Sequence, residues 1–355
     1  MTRRDFSARL IDWQTRHGRH DLPWQNSRDP YRIWLAEIML QQTQVATVIP
    51  YYVRFLARFP DVARLAAAPL EDIMTQWSGL GYYARARNLH RTACKVMEDH
   101  GGRFPETAQA LAELPGIGRS TAAAIAVFAS DERAAILDGN VKRILCRAFG
   151  IEGFPGERAV EERLWTLAEA LLPKRPENMA IYIQAQMDLG ATVCTRARPI
   201  CEHCPLAAEC VARISGRLAE LPMRRPKKAL PRRMSWVAVV VFGKKVLLER
   251  RPPAGIWGGL LAFPEIPAET GIQAWVANRF GINEIDAHEL PPLTHGFTHF
   301  TLEIAPWRID LPAVPRTLAE PAWQWLELER IAAAALPAPV RKILEKLPEC
   351  LNPRP

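Results

Sequence analysis

The sequence predicts a multi-domain protein in which an all-α domain precedes a smaller α+β domain. At 355 residues the chain is longer than one hydrophobic core usually supports, so two domains are expected. Apolar residues recur at helical spacings of three and four over residues 1–214, whereas residues 235–355 contain short β-rich runs. We therefore predict domains at 1–214 and 235–355, joined by a basic linker at 215–234.

The N-terminal domain shows seven helical patterns separated by Pro and Gly, and no convincing strand. These predicted helices are Tyr31–Gln42, Val45–Phe59, Ala84–Asp99, Arg119–Ala129, Val141–Phe149, Glu157–Leu172 and Asn178–Leu189. The C-terminal domain opens with two predicted strands, Trp236–Phe242 and Val246–Arg250, across a turn at residues 243–245. A helix near Ile272–Phe280 follows, and further strands complete the predicted α+β domain.

The linker holds most of the chain's net positive charge. The formal net charge is +8, and residues 215–234 alone carry seven basic side chains and one acidic one. Three prolines among the basic residues predict that Leu221–Met234 is extended and crosses a surface near phosphates. No apolar run reaches the length of a membrane helix and no signal peptide is apparent, so we expect a cytoplasmic protein with no membrane partner.

Four of the seven cysteines lie close together, with the spacing C-x6-C-x2-C-x5-C. Thiolates this close in sequence predict a metal site in a reducing compartment rather than a disulfide framework. Structural zinc is the simpler alternative, but zinc ribbons usually pair two C-x2-C knuckles, and one is present here. The predicted ligands are Cys194, Cys201, Cys204 and Cys210.

Two glycines precede an alanine-rich helix in Leu114–Thr121. Gly116 and Gly118 allow a tight turn whose backbone N–H groups, at a helix N-terminus, suit a phosphate oxygen. Many loops cap helices in this way without any function, so the pattern alone is weak. The flanking Leu-Pro and helices strengthen it.

Two acidic residues are candidate catalytic groups. Asp138 ends an apolar run just before a helix, and the alternative interpretation is that Asp138 or Asn140 simply caps that helix. Glu37 shares a helical face with Ile33, Trp34 and Leu40, which favours partial burial over an exposed amphipathic position. Because burial raises the pKa of a carboxyl group, Glu37 is the candidate general acid.

These segments together resemble the MutY family of adenine DNA glycosylases, within the helix-hairpin-helix superfamily that includes endonuclease III. The matching motifs are LAEIMLQQTQV (35–45), GLGYYARARNLH (79–90), LPGIGRSTA (114–122), LDGNVKR (137–143) and the cysteine loop. The resemblance implies a four-iron four-sulfur cluster on the four cysteines, and an all-α helix-hairpin-helix glycosylase domain. Ser120 stands where strand-cleaving relatives have a lysine nucleophile, and serine cannot form a Schiff base.

The resemblance also implies roles for individual residues. Asp138 would face the sugar of the flipped nucleotide, Asn140 would hold the Asp138 region, and Ser120 would line the site. Gln42 and Tyr82 would enter the duplex beside the mispair. Trp24, Gln25, Gln184 and Asp188 would line the adenine pocket, although core packing or a surface location explains these four equally well. Further DNA contacts are expected at Thr43, Leu80, Gly116, Gly118, Lys142, Arg196 and Arg198.

The C-terminal domain resembles the Nudix fold. Gly259 and Glu265 fit the opening G-x5-E of that family's motif, but the carboxylates expected next fall on residues 273–278, which contain no acid. Without clustered acids the domain is expected to bind rather than hydrolyse. Phe297, Thr298 and His299 match the loop with which MutY enzymes contact 8-oxoguanine, although an ordinary strand interior is the alternative.

The predicted function is therefore a monofunctional glycosylase that removes adenine opposite 8-oxoguanine, and opposite guanine, in base excision repair. The expected partner is duplex DNA with such a mispair, bound by a monomer associated with the nucleoid. Two alternatives are a bifunctional lyase of the endonuclease III type, disfavoured by Ser120, and a non-catalytic iron–sulfur DNA sensor. The sequence leaves open whether Asp138 acts covalently or electrostatically.

Overall fold

The chain forms two compact units in a computed structural model. One unit comprises Met1–Ala68 and Arg87–Lys227, and the other comprises Pro69–Ala86 and Lys228–Pro355. The structure describes residues 3–25, 27–225, 230–252, 255–297, 299–313 and 320–350. Pro69–Ala86, which the sequence analysis assigned to the N-terminal domain, thus groups with the C-terminal residues. The borders predicted at residues 214 and 235 stay predictions.

The first unit is built from helices, as predicted, and its described residues within 1–214 contain no strand. All seven predicted helices are present, with ends shifted by at most two residues, and five shorter or terminal helices were not predicted. In chain order, and including one helix of the second unit, the α-helices are α1 Arg3–His17, α2 Pro30–Leu40, α3 Val45–Arg58, α4 Val62–Ala67, α5 Leu70–Trp77, α6 Ala84–His100, α7 Ala108–Leu111, α8 Arg119–Ser130, α9 Gly139–Phe149, α10 Arg158–Ala170, α11 Met179–Asp188 and α12 Val211–Ile214.

Short irregular helices fill the region after α11. A π-helix, Leu189–Val193, follows α11 directly, and two 3₁₀-helices, Cys201–His203 and Ala207–Glu209, lie in the cysteine loop. A further 3₁₀-helix precedes α11 at Pro176–Asn178. One large core joins α1, α8, α9, α10 and α11, and buries Phe6, Trp13 and Tyr182 among aliphatic side chains. None of the described helices is long and apolar enough to cross a membrane.

The second unit contains an eight-stranded mixed sheet among its described residues. The order β3-β2-β1-β7-β5 forms its path, with β4 on β1, β6 on β7 and β8 on β2. The strands are β1 Arg232–Phe242, β2 Lys245–Arg250, β3 Leu261–Ala262, β4 Glu265–Ile266, β5 Ala287–Glu289, β6 Leu293–Gly296, β7 Thr301–Asp310 and β8 Trp323–Glu327, and the helices are α13 Ile272–Phe280, a 3₁₀-helix Leu328–Ala333 and α14 Ala338–Cys350.

Alternation along β1 gives this sheet two buried faces. Val237, Val239 and Val241 enter one core, while Ala238 and Val240 enter another on the opposite face, as the two-residue period of a strand requires. The predicted strands and helix of this domain are therefore present, and the multi-domain fold class, all-α then α+β, is confirmed.

Residues at both ends of the predicted linker pair or pack within their own units. Arg232–Met234 were expected in the linker but begin β1, because their backbone pairs in parallel with Thr301–Glu303 of β7. At the other end, Leu221 is buried with Cys210 and Ala212, and its carbonyl accepts a hydrogen bond from Arg147. Residues 226–229 lie outside the described residues.

Candidate active site

A cleft of about 1680 Å³ in the first unit gathers most of the predicted site residues. Both candidate catalytic acids line it, at the meeting of α2, α8, α9 and α11. The predicted residues in its wall are Trp24, Gln25, Glu37, Gln42, Thr43, Gly118, Ser120, Asp138, Asn140, Gln184 and Arg196. Gly116, Lys142 and Asp188 belong to the same unit but lie outside this lining.

Glu37 is placed in the cleft by helix α2. The helix begins where Asp29 caps it, its Oδ1 accepting from the Tyr31 N–H at 2.9 Å, with Pro30 at the first helical position. Ile33, Trp34 and Ile38 are buried, so the helix is fixed against its neighbours and Glu37 faces the cavity. Burial raises the pKa of Glu37 to about 8, and the negative charge of Asp138 adds to this shift. Glu37 therefore holds its proton at neutral pH.

Asp138 both caps α9 and lines the cleft. Its Oδ1 accepts from the backbone N–H groups of Asn140 at 3.0 Å and Val141 at 2.8 Å, which is the capping role that the sequence left open. Its Oδ2 accepts from Asn140 Nδ2 at 3.2 Å. Burial raises the pKa of Asp138, although these hydrogen bonds oppose that shift. The cap therefore fixes the carboxyl group in position.

Asn140 is held by an arginine that the sequence analysis missed. Arg143 Nη2 donates to Asn140 Oδ1 at 2.8 Å and to the Gly190 carbonyl at 2.7 Å, and its Nε donates to the Cys194 carbonyl at 2.6 Å. A chain of hydrogen bonds thus runs from the cysteine loop to Asp138. Arg143 lies one helical turn after Asn140, and that spacing was the available signal.

Gly190 allows the π-helix to approach Asn140. A Cβ atom at Gly190 would lie 2.4 Å from Asn140 Cβ, closer than atoms in contact can approach. A side chain at residue 190 would therefore displace Asn140 or the π-helix. Single π-helical turns are frequent at functional sites, but no feature of the sequence marked this one.

Ser120 orients the segment that carries Asp138. Its Oγ accepts a hydrogen bond from the Leu137 N–H at 3.0 Å, and Ser120 also lines the cleft. The hydroxyl therefore holds the residue next to Asp138. On the neighbouring position Thr121 Oγ1 accepts from Gln41 Nε2 at 3.4 Å, which links α8 to the end of α2.

The pocket residues proposed from the resemblance differ in how they meet the cleft. Trp24 packs edge-on against Tyr52, with the ring centroids 5.4 Å apart. The Gln25 side chain bonds within its own loop, to the Arg19 carbonyl at 2.9 Å and the Leu22 N–H at 3.0 Å. Both residues contribute to the cleft wall.

Asp188 is fully buried and lies outside the lining of the cleft, so its predicted place in the adenine pocket stays a prediction. Its carboxylate accepts from Arg19, with Nη2 to Oδ1 at 2.5 Å, and from Gln14 and Gln184 at 3.0 and 2.9 Å. This carboxylate holds the arginine and Gln184, both of which line the cleft.

The glycine turn, whose phosphate contact stays a prediction, has Gly116 in a left-handed conformation before helix α8. Helices α7 and α8 flank it, Gly116 has φ +77°, and a Cβ there would lie 2.7 Å from Asn88 Cβ. Gly118 caps α8 without a side-chain bond, so the helix start is left to an external acceptor. Thr92 Oγ1 donates to the Pro115 carbonyl at 2.8 Å and anchors the turn. Lys142 pairs with Glu161 at 2.5 Å, and its predicted DNA contact stays a prediction.

The end of α2 carries backbone strain. Gln42 is exposed with φ +57°, a left-handed conformation that non-glycine residues rarely adopt. Thr43 Oγ1 donates to the Gln41 carbonyl at 3.3 Å and lies beside it in the cleft wall. Strain at an exposed polar residue is frequent at functional positions.

The four predicted cysteine ligands surround one small cavity. Among the described residues, no group of three or more His, Cys, Asp or Glu side chains is arranged to hold a metal ion. The four cysteines line the cavity together with Arg147 and Arg213. Burial and the neighbouring thiols raise the pKa of Cys201, and burial raises that of Cys204 to about 12. Arg147 Nη1 lies 3.5 Å from Cys194 Sγ, so positive charge faces a ligand sulfur. Four sulfurs and no oxygen fit an iron–sulfur cluster.

The cysteine loop is fixed by the buried side chain of Arg147. Its guanidinium donates to the carbonyls of Thr195, Arg196, Leu218 and Leu221 at 2.7 to 3.1 Å. The side chains of Arg196 and Arg198 are exposed on this loop.

The second unit contains the remaining predicted residues. Leu80 is buried at 5% exposure, whereas Tyr82 is 53% exposed with φ +50°. Phe297 stacks on Phe300, with their centroids 4.6 Å apart, and His299 is exposed in the turn between β6 and β7. Thr298 lies outside the described residues. Glu265 pairs with Arg251 at 2.9 Å, so its charge is neutralised within the protein.

Comparisons with known proteins agree with both units. Residues 35–170 match the HhH-GPD superfamily of base excision DNA repair proteins, and residues 236–346 match a NUDIX domain. The chain is 37% identical to an adenine DNA glycosylase of Buchnera aphidicola, over 97% of this chain and 98% of that protein. It is 36% identical to the adenine DNA glycosylase of Mus musculus, over 95% and 77%.

A solved structure shares the fold of the helical unit. A thermostable thymine-DNA glycosylase is 30% identical, with a TM-score of 0.53, and the match covers 60% of this chain and 97% of that one. The full-length similarity to the curated relatives confirms the family predicted from the motifs: the chain belongs to the adenine DNA glycosylase family.

Proposed function

We propose that this protein removes adenine opposite 8-oxoguanine, and opposite guanine, by hydrolysing the N-glycosidic bond. The observation that carries the proposal is that Glu37 and Asp138 line one cleft and Glu37, with its pKa raised to about 8, retains a proton at neutral pH. Its partner is duplex DNA, bound by a monomer at the nucleoid. The cleft of about 1680 Å³ is large enough for an extruded nucleotide.

In this mechanism Glu37 protonates N7 of the extruded adenine, and the weakened glycosidic bond breaks. Asp138, fixed by its helix cap and by Asn140, faces the oxocarbenium-like sugar and stabilises its positive charge. Glu37, now ionised, accepts a proton from the attacking water. Ser120 supplies no amine, so the reaction ends with an abasic site and an intact strand.

The four cysteines would hold a four-iron four-sulfur cluster that supplies no step of the reaction. When bound, such a cluster fixes the loop from Cys194 to Cys210 and presents Arg196 and Arg198 to phosphates. The purified protein should be brown and contain iron and sulfide. Stoichiometric zinc without iron would contradict this assignment.

The C-terminal unit would read the oxidised guanine rather than catalyse. Glu265 is paired with Arg251, and α13 presents no acid, so a magnesium site for pyrophosphate hydrolysis lacks its ligands among the described residues. Phe297 packs against Trp257 and Phe300, and His299 is exposed in the same turn. His299 is the described side chain available for a hydrogen bond to a purine or its phosphate.

Single-turnover release of adenine from a duplex with adenine opposite 8-oxoguanine tests the proposal. We expect base release by the cluster-loaded protein and no strand cleavage of abasic DNA. Strand cleavage would favour the bifunctional lyase. Binding of the mispair without any base release would favour a non-catalytic sensor.

A further inference from the structure

The turn that carries Tyr82 is strained and exposed. We call residues 78–83, between α5 and α6, the wedge turn. Gly79 and Gly81 have φ +95° and +76°, and Tyr82 adopts φ +50° with 53% of its surface exposed. Glycine takes this conformation freely, but tyrosine does so only where its surroundings hold it.

The wedge turn is braced from the α6 side by Arg85. This guanidinium lies between two rings, 5.3 Å from the Trp77 centroid and 5.5 Å from that of Tyr82. Its Nη2 donates to the Gly81 carbonyl at 3.1 Å, and Trp77 Nε1 donates to the same carbonyl at 3.1 Å. These contacts fix the backbone just before Tyr82.

A second set of contacts comes from the C-terminal residues of the same unit. Tyr83 Oη accepts from the Gly79 N–H at 3.3 Å and donates to the Leu336 carbonyl at 3.3 Å. Arg341 Nη2 donates to Ser78 Oγ at 3.2 Å and to the Ala334 carbonyl at 3.0 Å. The two ends of the wedge turn are therefore bonded to α14 and to the segment just before it.

Helix α5, which leads into the turn, is held in the same way. Arg250 Nη2 pairs with Glu71 Oε1 at 2.6 Å, and the Met74 methyl group lies beside Gly259. The whole of Pro69–Ala86 accordingly clusters with the C-terminal residues. The surface ion pair alone stabilises little, so the bonds to the turn backbone are the informative ones.

We propose that the C-terminal part of the chain has a second role besides reading the opposite base: it positions the wedge turn so that Tyr82 is ready to enter the duplex. Tyr83 and Arg341 are the positioning residues. The inference rests on the proposed function, since it takes Tyr82 to be the side chain that enters DNA. A held turn lowers the entropy that is lost when Tyr82 inserts.

Amide hydrogen exchange on the full-length, DNA-free protein tests the positioning directly. We compare wild type, Tyr83→Phe, Arg341→Ala and, as a matched control, Arg330→Ala, which removes an exposed arginine from the neighbouring 3₁₀-helix. Peptides covering residues 78–86 should exchange several-fold faster in Tyr83→Phe and Arg341→Ala than in wild type. Their exchange rate should be unchanged in the control. Unchanged exchange in Tyr83→Phe and Arg341→Ala overturns the proposal. An equal increase over the whole second unit also overturns it, because that indicates a general loss of stability.

A double-mutant cycle links the turn to activity. In single-turnover excision, Arg341→Ala should lower the rate or the mispair affinity about five- to tenfold relative to wild type. In a protein that already carries Tyr82→Leu, the same substitution should lower them by less than about twofold. Fully additive effects overturn the proposal. If wild type released no adenine, the proposed function would fail, while the exchange experiment would still decide whether the turn is held.

Discussion

The cleft of the helical unit and the sheet of the C-terminal unit each contain a glutamate, and the two glutamates have opposite surroundings. Glu37 lies in the cleft with a pKa raised to about 8, first by burial and then by the charge of Asp138. Glu265, at the position where the Nudix motif begins, lies 2.9 Å from an Arg251 nitrogen. A carboxyl group can donate a proton near neutral pH where its ionised form is disfavoured. Where an arginine pairs with it, the carboxylate serves as one partner of an ion pair.

The same contrast extends to the aspartates of the helical unit. Asp138 is fixed by backbone N–H groups and Asn140, while Asp188 is bonded to Arg19 and fully buried. Asp138 is therefore oriented but still faces the cleft, whereas Asp188 supports its walls. Two residues of the same type thus differ in position: one aspartate faces the cleft and the other supports its wall.

Replacing the two glutamates by glutamine should give the largest difference. Glu37→Gln should lower single-turnover adenine release by about 100- to 10,000-fold, because an amide has no proton to transfer. Glu265→Gln should leave release within about twofold, because its partner Arg251 lies in a different unit from the cleft. Mispair affinity, measured by titration, should be retained in both. Near wild-type release by Glu37→Gln would show that another group donates the proton.

Gly190→Ala should produce the next largest effect. The added Cβ would lie 2.4 Å from Asn140 Cβ, so either Asn140 or the π-helix must move, and overpacking of this kind costs about 1–3 kcal/mol. We expect a lower melting temperature together with slower excision, since Asn140 holds Asp138. Gly139→Ala is the control for stability, because a Cβ there meets no atom within 4 Å. Equal melting temperatures for the two variants would contradict the packing argument.

The pH dependence should follow Glu37. Because catalysis needs the protonated form and the pKa is raised to about 8, the single-turnover rate should fall about tenfold per pH unit above that value. On the acid side the rate should decline as Asp138, whose pKa is also raised, becomes protonated. An unperturbed glutamate would already lose its proton near pH 4 to 5. A rate that declines from pH 5 upward would therefore contradict the role of Glu37.

The sequence predicted the parts of the site that local patterns encode. Helix α2 and its apolar face were visible in the spacing of Ile33, Trp34 and Leu40, and Glu37 followed from that face. The Asp138 cap and the cysteine spacing are likewise local features. In the second unit, the β-rich runs on either side of the turn at residues 243–245 predicted β1 and β2.

Contacts between residues far apart in sequence were not visible. Arg19 meets Asp188 across 169 positions, and Gly190 touches Asn140 through a π-helix that no sequence pattern announces. The grouping of Pro69–Ala86 with the C-terminal residues depends on bonds such as Arg341 to Ser78, 263 positions apart. Gln42 and Tyr82 adopt left-handed conformations, and propensity alone argues against both.

The smallest effect is expected where the C-terminal unit meets the lesion. His299 is exposed in the turn between β6 and β7, and we expect it to contribute one hydrogen bond to the oxidised guanine or its phosphate. A bond of this kind is worth about 0.5–1.5 kcal/mol, so His299→Ala should reduce the preference for 8-oxoguanine over guanine by about two- to tenfold.

The measurement is the ratio of single-turnover rates, at subsaturating enzyme, on duplexes that differ only in the base opposite adenine. His288→Ala is the matched control, because His288 is an exposed histidine on β5 of the same sheet. The rate on adenine opposite guanine should hardly change, since His299 supplies no catalytic group. If both variants kept the wild-type ratio, His299 would not recognise the lesion. The division between a catalytic helical unit and a lesion-reading C-terminal unit would then have no described side chain to support it.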